Sequence, residues 1–164
     1  MAVDRLEFRK AMGCYATGVT VITGMSAAGK PVGMTVNSFN SVSLDPPLVL
    51  FSLDRKATHF ADFMAASCFA VNVLAETQQA LSRTFSTQGI DRWEGVKFER
   101  WETGSPILPD TLAAFDCVTE ARHDGGDHII LIGRVLKLGY AGDGTPLLYY
   151  RGKYDKLTQP EQVS

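Results

Sequence analysis

Apolar residues in this chain recur mostly in strand-length runs, and only three short stretches show helical spacing. VTVITG (19–24), LVLFSL (48–53) and CFAVNVL (68–74) are compact and rich in β-branched and aromatic side chains, as strands are. From Leu112 to Ala121 the pattern alternates, placing Ala113, Phe115, Cys117, Thr119 and Ala121 on one face of a further strand. HIILIGRVLKLGY (128–140) predicts another long strand, and PLLYYRGKY (146–154) closes the series. Between the first two runs, SAAGKP (26–31) has turn chemistry, so a hairpin leads into an extended segment from Val32 to Val42.

The helical stretches are short. Asp4 is placed to cap an amphipathic helix that runs to about Cys14 and is ended by Thr17-Gly18. Thr58 stands as the N-cap of a second, with Phe60, Phe63, Met64 and Ser67 at i, i+3, i+4 and i+7. A third covers Thr77 to Phe85. Residues 87–110 are irregular, with one short strand near Val96–Trp101, while HDGGD (123–127) and AGDGTP (141–146) are turns. Many strands with only short helices between them predict a mainly β protein, an antiparallel β-barrel rather than a parallel doubly wound sheet. At 164 residues, a single domain spanning 1–164 is expected.

Charge adds little to that picture. A formal net charge of −2, with Lys and Arg scattered, gives no footprint for nucleic acid or an anionic membrane. No apolar run approaches the ~20 residues that span a bilayer, and the polar start MAVDRLEFRK is not a secretory signal. Cys14, Cys68 and Cys117 are odd in number, widely spaced and set in apolar stretches, as reduced thiols of a cytoplasmic protein would be.

Several chemistries are excluded by motif. G-x-G-x-x-G, a Walker loop, G-x-S-x-G and H-E-x-x-H are all missing, and His59, His123 and His128 have no ligand-like spacing with the cysteines. If the chain is an enzyme, the hard chemistry comes from a bound cofactor.

What remains is a set of polar stretches. GMTVNSFNSVSLDPP (33–47) crowds small hydroxyls and amides onto an extended segment, with Gly33 leaving room for close approach. Two readings fit these residues: a wet edge strand, or a shelf that reads the polar edge of a flat heteroaromatic ligand. FSLDRKATHF (51–60) places Arg55, Lys56 and Thr58 at a predicted helix start. That arrangement suits a phosphate seat or simply a capped surface helix. HDGGDHI (123–129) has Gly125-Gly126 for a tight hairpin and His128 at its mouth, either a surface histidine or a contact for a cofactor amide or phosphate. RTFS (83–86) and YYRGKY (149–154) read by default as core and interfacial packing.

These residues give the chain its resemblance. TGVTVIT (17–23), GMTVNSFNSVSLDPPLV (33–49), the GDH triplet (126–128) and PLLYYRGKY (146–154) occur in the order found in the short flavin reductase family, the reductase components of two-component flavin-dependent monooxygenases. The resemblance runs from about Phe8 to Tyr154. It implies an FMN-binding split β-barrel, a homodimer with flavin near the subunit interface, FMN or FAD as cofactor, and NADH or NADPH as co-substrate. Carried over, Thr35, Val36, Asn37 and Ser38 would line the flavin ring and ribityl chain. Ser52, Leu53 and Asp54, with the turn of Lys56, Ala57 and Thr58, would hold ribityl and phosphate.

Phe85 and Ser86 would approach from a helix end, and Tyr154 would cover the ring. Gly126, Asp127 and His128 would seat the nicotinamide nucleotide, with His128 the candidate for positioning it. Many relatives carry serine where this chain has Ala57, which leaves a backbone N–H as the contact there. The implied activity is hydride transfer from NAD(P)H to flavin, with reduced flavin supplied to a partner monooxygenase. Flavin-dependent corrinoid (cobalamin) reduction, a non-turnover flavin carrier or sensor, and a purely structural dimeric barrel stand as alternatives.

Overall fold

The computed structural model describes residues 3–157. Helix α1 (Arg5–Met12) starts where expected, with the Asp4 carboxylate accepting from the amides of Leu6 and Glu7. It ends earlier than expected, at Gly13. Thr17-Gly18 is instead a short strand, β1, which pairs with Leu148 and Tyr149 far along the chain. The expected strand over Val32–Val42 is also two: β3 (Pro31–Val36) and β4 (Asn40–Leu44), interrupted at residues 37–39.

Those three residues explain the barrel. With β2 (Thr20–Met25), β5 (Pro47–Asp54), β6 (Cys68–Val73), β9 (Ala113–Gly125) and β10 (His128–Tyr140), β3 and β4 form one antiparallel seven-stranded sheet. Its order is β3-β2-β6-β9-β10-β5-β4, so β3 and β4 lie on opposite edges. Laid flat, those edges would stand roughly 29 Å apart. The chain from Val36 to Asn40 reaches ~15 Å at most. The sheet therefore curls until its edges approach. Inside the curl, Val32 and Val36 of β3 pack in one cluster with Val49, Phe51 and Leu53 of β5.

Three smaller pieces cover the outside. A 3₁₀ turn (Glu76–Gln78) leads into α2's successor in the chain, the helix α3 (Gln79–Ser86); α2 itself spans Phe60–Ala65. β7 (Glu99–Arg100) pairs with β8 (Pro106–Ile107), and β11 (Leu148–Tyr150) with β12 (Lys153–Asp155). These pieces bury the outer faces of β2 and β6. Hence VTVITG is apolar throughout: Ile22 faces the barrel interior, and Val19 and Val21 face Phe85, Leu108 and Leu147.

β9 behaves the same way. Phe115 and Cys117 point inward as the alternation predicted, but the opposite face is not wet. Asp116 is fully buried there, accepting from the amide and hydroxyl of Thr103. β10 spans the expected 128–140, whereas β9 runs on to Gly125, leaving Gly126-Asp127 as a two-residue loop with Gly126 at φ 77°.

Candidate functional site

The end of β3 forms one side of a cleft of about 250 Å³. Thr35, Val36 and Asn37 line it together with Val19, Ser86 at the end of α3, and Tyr149 and Tyr154 from the β11–β12 hairpin. Five of the sequence-predicted residues thus meet in one place: Thr35, Val36, Asn37, Ser86 and Tyr154. Tyr149 and Tyr154 are cross-strand partners with ring centroids 5.6 Å apart at 69°, making an aromatic wall. The Arg83 guanidinium lies 5.8 Å from the Tyr154 centroid.

Ser38 joins this cleft to the next group. The Ser52 amide donates to Ser38 Oγ (2.9 Å), and that hydroxyl donates to the Ser52 carbonyl (3.3 Å). Beyond Ser52, β5 runs to Asp54, which sits opposite His128 in the ladder. Arg55 then grips the hairpin tip: its amide donates to the Asp127 carbonyl (3.1 Å), its Nε to the Gly126 carbonyl (2.9 Å), and it pairs with Asp124. Asp54, Gly126, Asp127 and His128 are brought together by these contacts.

The turn after β5 differs from the expected phosphate seat. Thr58 makes no cap; His59 occupies the N-cap position of α2, and its side chain caps no backbone N–H. The Lys56 amide is taken by the Asp54 carboxylate (2.8 Å) and the Ala57 amide by the Asp54 carbonyl (2.9 Å). Asp54 folds this turn back on itself, so the Ala57 N–H already has its partner. Among the described residues Lys56 has no ion-pair partner.

Burial leaves two other predicted residues only their backbone to offer a ligand. The side chains of Leu53 and Phe85 are fully buried. Phe85 stands edge-on to Trp93 at 5.0 Å and against Gly33, so Gly33 makes room for a core ring rather than for a ligand. Only Ser86 of that pair reaches the cleft.

At the hairpin, His128 Nδ1 lies 2.8 Å from Asp127 Oδ1. An ionised carboxylate only accepts, so Nδ1 carries the proton, and Nε2 is the ring nitrogen not bonded to Asp127. The Asp127 pKa is lowered, first by that hydrogen bond and then by the imidazolium charge.

Three contributors gave no local signal. Val19 and Tyr149 reach the cleft only through tertiary pairing. Arg92, a buried cation, donates from Nε to the Thr87 carbonyl and from a terminal nitrogen to the Gly33 carbonyl (both 2.9 Å), pinning the loop after α3 onto β3. Burial pulls its pKa below the ordinary guanidinium value.

The cleft's donor set fits a flat heteroaromatic ring. Val19 and Val36 offer apolar contact, two tyrosines offer π faces, and Thr35, Asn37 and Ser86 offer small polar groups at the margin. Residues 12–158 match the model of the flavin reductase-like domain. The chain belongs to that family.

Its relatives agree in sequence and in shape. An NADH-dependent FMN reductase, SmoA of Agrobacterium fabrum, is 43% identical over 93% of this chain and 86% of its own length. HsaB of Rhodococcus jostii, the reductase subunit of a flavin-dependent monooxygenase, is 42% identical over 99% of this chain and 83% of its own. The NADH:FAD oxidoreductase SgcE6 of Streptomyces globisporus, solved with NAD and FAD fragments, superposes with a TM-score of 0.90. It is 32% identical, covering 98% of this chain and 99% of that one. This flavin reductase-like chain thus shares a mostly β, antiparallel split-barrel fold with solved flavin reductases. No helix among the described residues is long and apolar enough to cross a membrane.

Proposed function

We propose that the chain is an NAD(P)H-dependent flavin reductase, acting as one domain, that supplies reduced FMN or FAD to a separate monooxygenase component. The observation that carries this reading is the cleft where Thr35, Val36, Asn37, Ser86 and Tyr154 converge, linked through Ser38–Ser52 to the strand β5 that pairs with His128. When bound, flavin supplies the acceptor for a hydride from the nicotinamide. The chain's own residues bind and orient. Thr35 and Asn37 meet the ring's polar margin, Ser38 and Ser52 fix the floor between cleft and hairpin, and Lys56 meets phosphate. With Nδ1–H held by Asp127, the other ring nitrogen of His128, Nε2, is the one that meets the nicotinamide carboxamide.

The reading extends to a homodimer. A pocket that buries a drug-sized ligand measures ~300–1,000 Å³, so the 250 Å³ cleft of one copy encloses only part of a flavin. Exposed apolar side chains are available to a second copy: Val42 and Leu44 on edge strand β4, and Leu136, Leu138 and Tyr140 on β10. We also place the protein in the cytoplasm, since its three cysteines are free and Cys117 is buried. Titrating FMN and FAD into the protein, with flavin fluorescence as the signal, tests the reading: saturable quenching is expected, and no binding of either flavin overturns it.

A further inference from the structure

We infer that Ser82 is a positioning residue that holds the two sides of the cleft at a fixed separation. The inference rests on the flavin reading of that cleft. Ser82 lies on α3, fully buried, and does not line the cleft itself. Its backbone carbonyl accepts from Thr35 Oγ1 at 2.7 Å, which anchors the β3 side. Its hydroxyl lies 2.8 Å from the Tyr154 hydroxyl, which anchors the aromatic side.

The hydroxyl contact is unusual for a helical serine. Such a hydroxyl commonly bonds back to the carbonyl one turn earlier, as Thr84 Oγ1 does to Ala80 (3.2 Å). Ser82 instead reaches a strand 72 residues away.

The geometry limits how the cleft can move. Tyr154 is held by its edge-on contact with Tyr149 and by Arg83 over its ring, and both contacts tolerate rotation and sliding. The hydroxyl pair is the directional contact, and it fixes where the ring stands relative to Thr35. Because both anchors are on one buried residue, the gap cannot widen without breaking a hydrogen bond. A cleft of set width binds a flat ring without first having to order its walls.

The test is a double-mutant cycle on flavin affinity, read by fluorescence quenching without nicotinamide, in wild type, Ser82→Ala, Tyr154→Phe and the double variant. Each single variant is expected to weaken flavin binding about fivefold, the effect of one neutral hydrogen bond. The double variant should lose no more than either single, because all three lack the same bond. In turnover the flavin KM should rise in step while the nicotinamide KM stays unchanged.

Unaltered affinity in the single variants, additive losses in the double, or an equal rise in both KM values would overturn the inference. Tyr154 is only half-buried, so Tyr154→Phe keeps the test decisive if Ser82→Ala folds poorly. A wild type that binds no flavin overturns the flavin reading itself. A wild type that binds, with variants that bind equally well, overturns the role of Ser82 alone.

Discussion

Ser38 and Ser52 are bonded to each other twice, the Ser52 amide to Ser38 Oγ and Ser38 Oγ to the Ser52 carbonyl. β4 pairs with β5 no further along than Leu50, so on that side Ser52 has lost its ladder partner. The Ser38 hydroxyl takes the place of the missing strand. Ser38→Ala leaves an amide and a carbonyl without it, and should cost about 1 kcal/mol, lowering Tm by roughly 2–4 °C for a chain of this size. Thermal unfolding followed by circular dichroism reads the shift, and an unchanged Tm would show that water replaces the hydroxyl without loss.

Gly33 is required by a core ring. A Cβ there would lie 2.5 Å from Phe85 Cε1 and 2.8 Å from Cδ1, and the fully buried Phe85 is backed by Trp93. Gly33→Ala should destabilise by about 1–3 kcal/mol through overpacking and push α3 outward. Denaturant unfolding measures the loss. Wild-type stability would mean that Phe85 has space to retreat.

The hairpin tip carries a pH signature. Asp127 is held below the ordinary aspartate value by the hydrogen bond and charge of His128. A depressed carboxyl pKa contributes above the ordinary range and is lost as pH falls through the depressed value. The Asp127–His128 contact therefore persists through neutral pH. In an NMR titration the Asp127 midpoint should fall below ~3.9 and return towards it in His128→Ala. Identical midpoints in both proteins would contradict the pairing.

Cys117 carries the opposite sign. Burial first, and the charge of Asp116 second, push its thiol up to about 12. Its neutral form adds stability that is fully present below the ordinary thiol range and is lost as pH rises towards 12. With a thiol reagent at mildly alkaline pH, exposed Cys14 should react quickly and Cys117 only after denaturation. Rapid labelling of Cys117 in the folded protein would show that the barrel opens readily.

Much of this was legible locally. Asp4 capped α1 as its position predicted, and the strand-like runs became strands. The errors lie where tertiary pairing outweighs local chemistry. Thr17-Gly18 reads as a helix stop until Leu148 and Tyr149 arrive beside it. Residues 37–39 read as strand because nothing in their composition reveals that the chain must cross between opposite edges of a curled sheet. In the site, Thr35 to Ser38 stood out because so many small polar groups share one extended segment. Ser82, Arg92 and Asp116 did not, since each looks ordinary until its distant partner is in place.

The most direct measurement is steady-state oxidation of NADH and of NADPH by the purified protein with free FMN or FAD. Nicotinamide oxidation that saturates with flavin in at least one combination is the predicted result. Oxidation that fails to depend on flavin in all of them would contradict the account.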